Sequence, residues 1–179
     1  MRKIVLTAMA MVLLSGMNGL RAQDKAMAKP ELLKKIMAWK GDWEAKLTSK
    51  MGEQTTTGVD HASFALTSDG NGVTMKQWMD TPKGGKYQAT HLIGYNSEDK
   101  KVHWFIVDNM GGCQDQMVEL VSDNHIRISY NGTKDGKPMQ QTADLMLKDN
   151  NTVDFNQVFI VDGKTAQSMA GTYKRKMSK

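Results

Sequence analysis

Residues 40–52, "KGDWEAKLTSKMG", begin with a lysine, a glycine, one further residue and a tryptophan, and then alternate apolar with polar side chains. Trp43, Ala45 and Leu47 occupy every second position, and Glu44 lies between the first two. Because successive side chains of a strand point to opposite faces, this period of two predicts a strand with one buried and one wet face. The stretch therefore predicts the first strand of an antiparallel sheet.

Turn signals divide the rest of the chain into further strands. They are clusters of glycine, asparagine, aspartate or proline, which favour tight turns. Nine of them occur, at Gly52 and at residues 69–72, 82–85, 96–100, 111–112, 122–124, 135–136, 148–151 and 162–163. Short links between consecutive strands predict an antiparallel meander, and a long meander normally closes to remove its edges. We therefore predict an all-β, antiparallel up-and-down barrel of about ten strands.

A short amphipathic helix is predicted before the first strand. Residues 30–39, "PELLKKIMAW", place a proline at a plausible first helical position. Apolar Leu32, Leu33, Ile36 and Met37 follow at helical spacing. This segment therefore predicts one short helix with a single apolar face.

Folding each predicted hairpin about its turn brings apolar residues to one face, which we interpret as the barrel interior. The pairs expected about the turns at 82–85 and 96–100 are Met79 with Tyr87, Met75 with His91, Val73 with Ile93, Ile93 with Trp104 and Tyr95 with Val102. The same register, continued to the last strand, places Ala166, Ser168, Ala170 and Lys174 inside. A slip of one residue at any turn would invert the strands beyond it.

The first residues, "MRKIVLTAMAMVLLSGMNGLRAQ", have a basic start, an apolar run and a small-residue end near Ala22. This pattern is typical of a secretory signal peptide. The apolar run is shorter than the roughly 20 residues that a membrane-spanning helix needs. We therefore expect residues 1–22 to be a signal peptide and residues 23–179 to form one barrel domain. We expect a periplasmic or secreted protein without a membrane span.

The charge balance and the single cysteine restrict the expected partners. Cleavage near Ala22 removes three of the 24 Lys and Arg and leaves 21 against 19 Asp and Glu, so the mature chain is nearly neutral. We expect no nucleic-acid partner. Cys113 is the only cysteine, which excludes an internal disulfide. An unpaired thiol in an oxidising compartment is either buried or available to a partner, and we expect Cys113 to be buried.

A ten-strand meander that begins with a short helix and "GDW" is similar to the calycin superfamily of lipocalins, fatty-acid-binding proteins and nitrobindins. In lipocalins, a glycine, any residue and a tryptophan open the first strand. The tryptophan closes the narrow end of the barrel against a basic residue of the last strand. The resemblance implies this barrel-floor role for Gly41 and Trp43, with Lys174 or Arg175 as the basic partner. The register above favours Lys174, since Arg175 would need a bulge.

Nearly the whole mature chain also resembles a bacterial family of small exported lipocalin-like proteins of unknown function. The matching pieces are "LLKKIMAWKGDWEAKL", "HLIGYNSEDKKVHWFIVDN" and "MAGTYKRK", in this order along the chain. This resemblance implies a fold and a cavity, and it does not imply a reaction.

The inward residues of the middle strands form the candidate binding site. A barrel of eight strands already holds one small ligand, and ten strands leave more room. Flat aromatic surface with a few hydrogen-bonding tips suits a mostly apolar ligand with one polar end. The candidate ligand-binding residues are Met75, Gln77, Tyr87, His91, Tyr95, Trp104, Tyr130 and Gln157. The alternative is that these side chains fill the barrel and satisfy one another.

Signatures of metal, cofactor or catalytic sites are weak. His61, His91, His103 and His125 lie on four different predicted strands and lack close metal-ligand spacing. The nitrobindin resemblance implies a haem histidine on a late strand, and no histidine follows His125. No "G-x-S-x-G" motif occurs. We therefore expect no metal, no cofactor and no catalytic residue, and a cofactor-dependent enzyme is only the third hypothesis.

We prefer two functional hypotheses to a cofactor-dependent enzyme. The first is an exported protein that binds a small hydrophobic or amphipathic molecule inside the barrel. The second is an envelope protein–protein interaction module with a packed barrel, and the sequence leaves open whether the protein is a monomer or a homodimer. The second rests on Trp78, Leu92, Phe105 and Val107, which the register places on the wet face. Either the helix covers these four residues or they form a contact patch.

Overall fold

The computed structural model describes residues 30–80 and 85–177 and confirms the predicted barrel. The expected signal peptide lies outside these residues. The elements are α1 (Glu31–Met37), β1 (Gly41–Met51), β2 (Gln54–Leu66), β3 (Val73–Asp80), β4 (Lys86–Asn96), β5 (Lys101–Asp108), β6 (Cys113–Ser122), β7 (His125–Lys134), β8 (Lys137–Asp149), β9 (Thr152–Val161) and β10 (Lys164–Arg175). Every strand pairs antiparallel with its neighbours in the chain, and β10 returns to pair with β1, so the sheet is closed.

The register predicted for the middle strands is confirmed. Met75 pairs with His91 across β3 and β4, and Ile93 pairs with Trp104 across β4 and β5. Burial alternates accordingly, since His91 and Ile93 are buried whereas Leu92 between them is exposed. The period of two in the sequence therefore separates the interior of the barrel from its surface.

The register predicted for β10 is wrong. A bulge between Thr165 and Gln167 adds one residue to β10 relative to β9, so the facing of every later side chain is inverted. Ala166, Ser168, Ala170 and Lys174 are therefore not the inward set. The inward positions are those that pair with inward residues of β9 and β1, namely Gln167, Met169, Gly171, Tyr173 and Arg175. The basic partner of Trp43 is consequently Arg175 and not Lys174.

Arg175 closes the floor of the barrel against Trp43. The two residues are direct partners across β1 and β10, and the guanidinium carbon lies 4.4 Å from the centroid of the indole ring. The Trp43 indole nitrogen donates to the carbonyl of Trp39 at 2.7 Å. Arg175 Nη2 donates to the carbonyls of Ala38 at 2.9 Å and Asn150 at 3.1 Å. One side chain thus fastens the end of the helix, the first strand and the turn between β8 and β9.

The backbone conformation at position 41 and the nearby Arg175 side chain explain why this residue is a glycine. Gly41 has a φ of +119°, in the region that disfavours a side chain. A Cβ at this position would lie 3.3 Å from Arg175 Nη1. The backbone of β1 therefore approaches the guanidinium closely because residue 41 has no side chain.

The helix covers the floor end of the barrel and not its outer surface. It is shorter than the predicted 30–39, because Pro30 is extended and the chain turns at Ala38 to enter β1. Its apolar face, with Leu33 and Ile36 fully buried, packs into the core cluster. No helix in the described part of the chain is long and apolar enough to span a membrane.

The outward apolar residues therefore remain at the surface. Leu92, Phe105 and Val107 are 53%, 40% and 48% exposed, and Leu92 pairs with Phe105 across β4 and β5. Trp78 is half-buried and stacks on His61, with ring centroids 5.2 Å apart. The contact-patch alternative for these residues is the one compatible with the position of the helix.

The expectation that Cys113 is buried is wrong. Cys113 is the first residue of β6, pairs with outward Val107 and is exposed. The alternation along β6 turns Gln114 and Gln116 inward, which fixes the thiol on the opposite face.

The floor contact predicts unequal effects of two neighbouring substitutions. We expect Arg175→Met to lower the free energy of unfolding by about 2 kcal/mol or more, because it removes a cation–π contact and leaves several carbonyls without their donor. Lys174→Met makes the same charge change on the exposed side of the strand, and we expect a change within about 0.5 kcal/mol. Urea unfolding followed by tryptophan fluorescence measures both. Equal losses would show that the guanidinium does not secure the floor.

Candidate functional site

A cavity of about 600 Å³ lies inside the barrel. Its size falls within the range of roughly 300–1,000 Å³ that is usual for small-molecule sites. Residues at the strand ends opposite the helix also line it, among them Met51, Met110 and Lys134, all of which are exposed. The cavity therefore extends from the floor at Trp43 to the open end of the barrel.

Most of the cavity wall is apolar. Phe64, Ile106, Phe155 and Phe159 contribute flat or branched hydrocarbon surface. Five methionines also line the cavity, namely Met51, Met75, Met79, Met110 and Met169. Methionine side chains are flexible and polarizable, so this wall can adapt to apolar molecules of different shape.

A row of hydrogen bonds crosses the polar side of the cavity. The Trp104 indole nitrogen donates to His91 Nδ1 at 2.7 Å. His91 Nε2 lies 3.1 Å from Gln77 Oε1, and Gln77 Nε2 donates to Asp60 Oδ2 at 3.0 Å. The Tyr173 hydroxyl donates to the same carboxylate oxygen. Five side chains from β2, β3, β4, β5 and β10 are thereby held in one arrangement.

The donors and acceptors along this row fix the protonation state of His91. An indole nitrogen can only donate, so His91 Nδ1 must accept and carries no proton. Nε2 then carries the single ring proton and donates to Gln77 Oε1, which leaves the Gln77 amide nitrogen to donate to Asp60. His91 is therefore neutral in this arrangement. Burial lowers the pKa of His91 to about 4, although the nearby Asp108 charge acts in the opposite direction.

Asp60 is the most deeply buried polar side chain of the row, with none of its surface exposed. Both of its donors, Gln77 and Tyr173, contact Oδ2, while Oδ1 has no hydrogen-bond partner. Burial raises the pKa of the Asp60 carboxyl, and the two hydrogen bonds partly oppose this shift. Burial, together with the Asp60 charge, raises the pKa of Tyr173 well above its usual range.

Tyr87 has a similarly perturbed hydroxyl. Burial, assisted by the charges of Asp108 and Asp60, raises the pKa of Tyr87 to about 12. The hydroxyl is therefore a neutral hydrogen-bonding group at physiological pH.

The structure brings six of the eight candidate residues to the cavity wall, namely Met75, Gln77, Tyr87, His91, Trp104 and Gln157. Tyr95 does not line the cavity, because it lies two residues beyond Ile93 toward the floor and packs against the core there. Tyr130 does not line it either. A Cβ added to Gly132 would meet the Tyr130 ring at 2.6 Å, so the ring lies across its own strand.

Sequence reasoning missed Asp60 and Tyr173. Asp60 lies two residues before Ala62 and four before Phe64, which are both buried. The alternation along β2 therefore predicts that the Asp60 side chain also faces inward. Tyr173 was hidden by the bulge in β10, which inverts its facing.

Asp108, at the end of β5, also lies on the cavity wall. Its Oδ1 accepts from the backbone nitrogens of Met110 and Gly112, each at 2.8 Å. A Cβ at Gly112 would collide with this carboxylate, which explains the glycine at that position. Asp108 therefore shapes the turn between β5 and β6 and adds a second acid to the lining.

The other three histidines lie on the outer surface of the barrel. His61 lies 3.3 Å from Glu44, His103 lies between Asp99 and Asp115, and His125 contacts Asp144 at 2.7 Å. Within residues 30–80 and 85–177, no group of three or more His, Cys, Asp or Glu side chains could hold a metal ion.

No protein-family model matches the chain, and no curated protein matches it. Solved structures do share its fold. The crystal structure of Rv2717c from M. tuberculosis has a TM-score of 0.64 and 12% identity, and the match covers 83% of this chain and 99% of that one. The S-type phycobiliprotein lyase CPES from Guillardia theta has a TM-score of 0.52 and 10% identity, with 83% and 93% covered. These structures share the closed barrel of this chain, and the similarity is consistent with a calycin-type fold.

The different surroundings of His91 and His103 predict the order in which these two histidines titrate. We expect His91 to stay neutral down to pH about 4, with its proton on Nε2. His103 should titrate above its ordinary value of 6.5, because hydrogen bonds to Asp99 and Asp115 raise its pKa. Ring-nitrogen NMR resonances followed from pH 8 to below pH 3 measure both pKa values and the tautomer. Titration of His91 near pH 6.5 would contradict the arrangement described above.

Proposed function

We propose that this protein is exported and holds a small hydrophobic or amphipathic molecule in the interior of its barrel. The observation that carries the proposal is the cavity of about 600 Å³, which the side chains of the barrel leave unfilled. A packed barrel acting only through its surface would not contain such a space. The proposal therefore follows from the interior and not from the fold class alone, since one fold serves many functions.

The distribution of polarity along the wall supports an amphipathic ligand. Aromatic, aliphatic and methionine side chains supply a large apolar contact, while the row from Trp104 to Asp60 and several glutamines supply polar groups. Pockets of this composition bury the body of a ligand and orient it through a few polar contacts.

Export is supported by the sequence of residues 1–22, whose basic start, apolar run and small-residue end are typical of a signal peptide. The three pieces shared with small exported lipocalin-like bacterial proteins support the same assignment. The calycin-type fold is compatible with it.

Filling the cavity tests this proposal. Ala143 is buried and lines the cavity on β8, whereas Gln140 is exposed on the outer face of the same strand. We expect Ala143→Phe to weaken binding of the neutral fluorescent probe N-phenyl-1-naphthylamine about tenfold, because the new ring occupies ligand space. Gln140→Phe adds the same side chain outside the barrel and should leave binding unchanged. Fluorescence titration of residues 23–179 provides the measurement.

Native mass spectrometry of residues 23–179 from an exported preparation gives an independent test. We expect an added mass that solvent extraction releases and that Ala143→Phe reduces. A bare mass for the parent protein, combined with no probe binding, would contradict the proposal.

A second candidate is a homodimer formed through the outer patch of Leu92, Phe105 and Val107, which are adjacent and about half exposed. We expect light scattering to report a dimer that Phe105→Glu disperses, because a buried unpaired carboxylate destabilises an apolar interface. A parent protein that is monomeric at every concentration would contradict this candidate and leave the cavity proposal unaffected.

A further inference from the structure

Two buried side-chain atoms within the described residues lack a hydrogen-bond partner, and both belong to the cavity wall. They are Asp60 Oδ1 and Gln141 Oε1. Both are acceptors. A buried polar group without a partner is unfavourable, so nearly all such groups in folded proteins are satisfied by protein, water or a bound molecule. The interior therefore lacks hydrogen-bond donors at two positions.

Asp60 belongs to the cavity wall, and Oδ1 is the oxygen of its carboxylate that lacks a partner. Gln77 and Tyr173 both donate to Oδ2 and hold the carboxylate from one side. Gln77 is in turn positioned by His91, and His91 by Trp104. The row thus ends on Oδ2 of Asp60, which accepts from both Gln77 and Tyr173. The other oxygen lies on a side chain with no exposed surface and has no hydrogen-bond partner within the described residues.

The charges of the lining favour a cation. It contains two carboxylates, Asp60 and Asp108, and one ammonium group, that of Lys134. Lys134 is exposed at the last residue of β7, whereas Asp60 is fully buried. His91 is neutral in the row described above. An anionic head group deep in the barrel would face carboxylate charge, while a cationic one would be attracted to it.

We propose that the cavity binds an amphipathic amine, whose protonated nitrogen donates a hydrogen bond to Asp60 Oδ1 while its apolar body contacts the aromatic and methionine wall. This inference rests on the proposed function and names the class of ligand. A primary ammonium group has three donors and no acceptor, which matches a site that offers unpaired acceptors.

Three probes of the same length test the head group. Decylamine, decanol and decanoate differ in the charge of one end and share an apolar chain. Their affinities for residues 23–179 at pH 7.5 are measured by displacement of N-phenyl-1-naphthylamine. We expect decylamine to bind about tenfold or more tightly than decanol, as for one charge-assisted hydrogen bond, and decanoate to bind most weakly.

Two variants test whether Asp60 causes the preference for decylamine over decanol. Asp60→Asn keeps the shape of the side chain and removes its charge, and we expect it to weaken decylamine binding about tenfold while decanol binding changes by less than about threefold. Asp80→Asn makes the same charge change at an exposed position at the end of β3, and the preference for decylamine should be retained.

The outcomes separate the two proposals. Equal binding of decylamine and decanol would overturn the amine inference, since water alone then satisfies Asp60, while the cavity function would stand. Tightest binding of decanoate would also overturn it and indicate Lys134 as the contact. Binding of none of the three probes would overturn the cavity function and the inference together. The comparison of the three probes needs no substitution, so it remains decisive if Asp60→Asn does not fold.

Discussion

The contact of Arg175 with Trp43 determines how the barrel closes. The two residues are cross-strand partners on the last and first strands, so their packing unites the ends of the sheet. The same guanidinium binds carbonyls at the end of the helix and in the turn between β8 and β9. Because one end of the barrel is sealed in this way, the apolar face of the helix is buried there. The cavity then extends to the opposite end, where paired strands meet in short turns.

Closure of the barrel also brings the polar side chains above the floor into one space. Asp60, Gln77, His91, Trp104 and Tyr173 come from five strands, and only a closed barrel directs all five side chains into one space. Inside that space each hydrogen bond replaces the water that the group loses on folding. The indole donor sets the direction of the whole row, because it has no alternative role. The row therefore ends on Asp60 with its hydrogen bonds concentrated on one oxygen.

The sequence predicted the barrel because period two and turn residues are local signals. The pairing of Met75 with His91 and of Ile93 with Trp104 followed from the turn positions together with the requirement that apolar residues share one face. The last strand could not be predicted in the same way, since the bulge at Ala166 has no distinctive residue and inverts Tyr173 and Arg175. The site was predicted in part, because apolar and aromatic inward positions show in the pattern. Asp60 was missed because a carboxylate at an inward position resembles a turn residue until its neighbours Ala62 and Phe64 are considered.

The free energy of folding alone does not account for Asp60. An unsatisfied buried acceptor costs about 1–3 kcal/mol, and an apolar residue at that position would avoid the cost. The surrounding chain nevertheless positions this carboxylate with two donors and leaves its second oxygen without a partner. One fold carries many different sets of interior side chains, so the barrel itself does not require this arrangement. An unfavourable group that the rest of the site holds in place is consistent with the ligand-binding function proposed above.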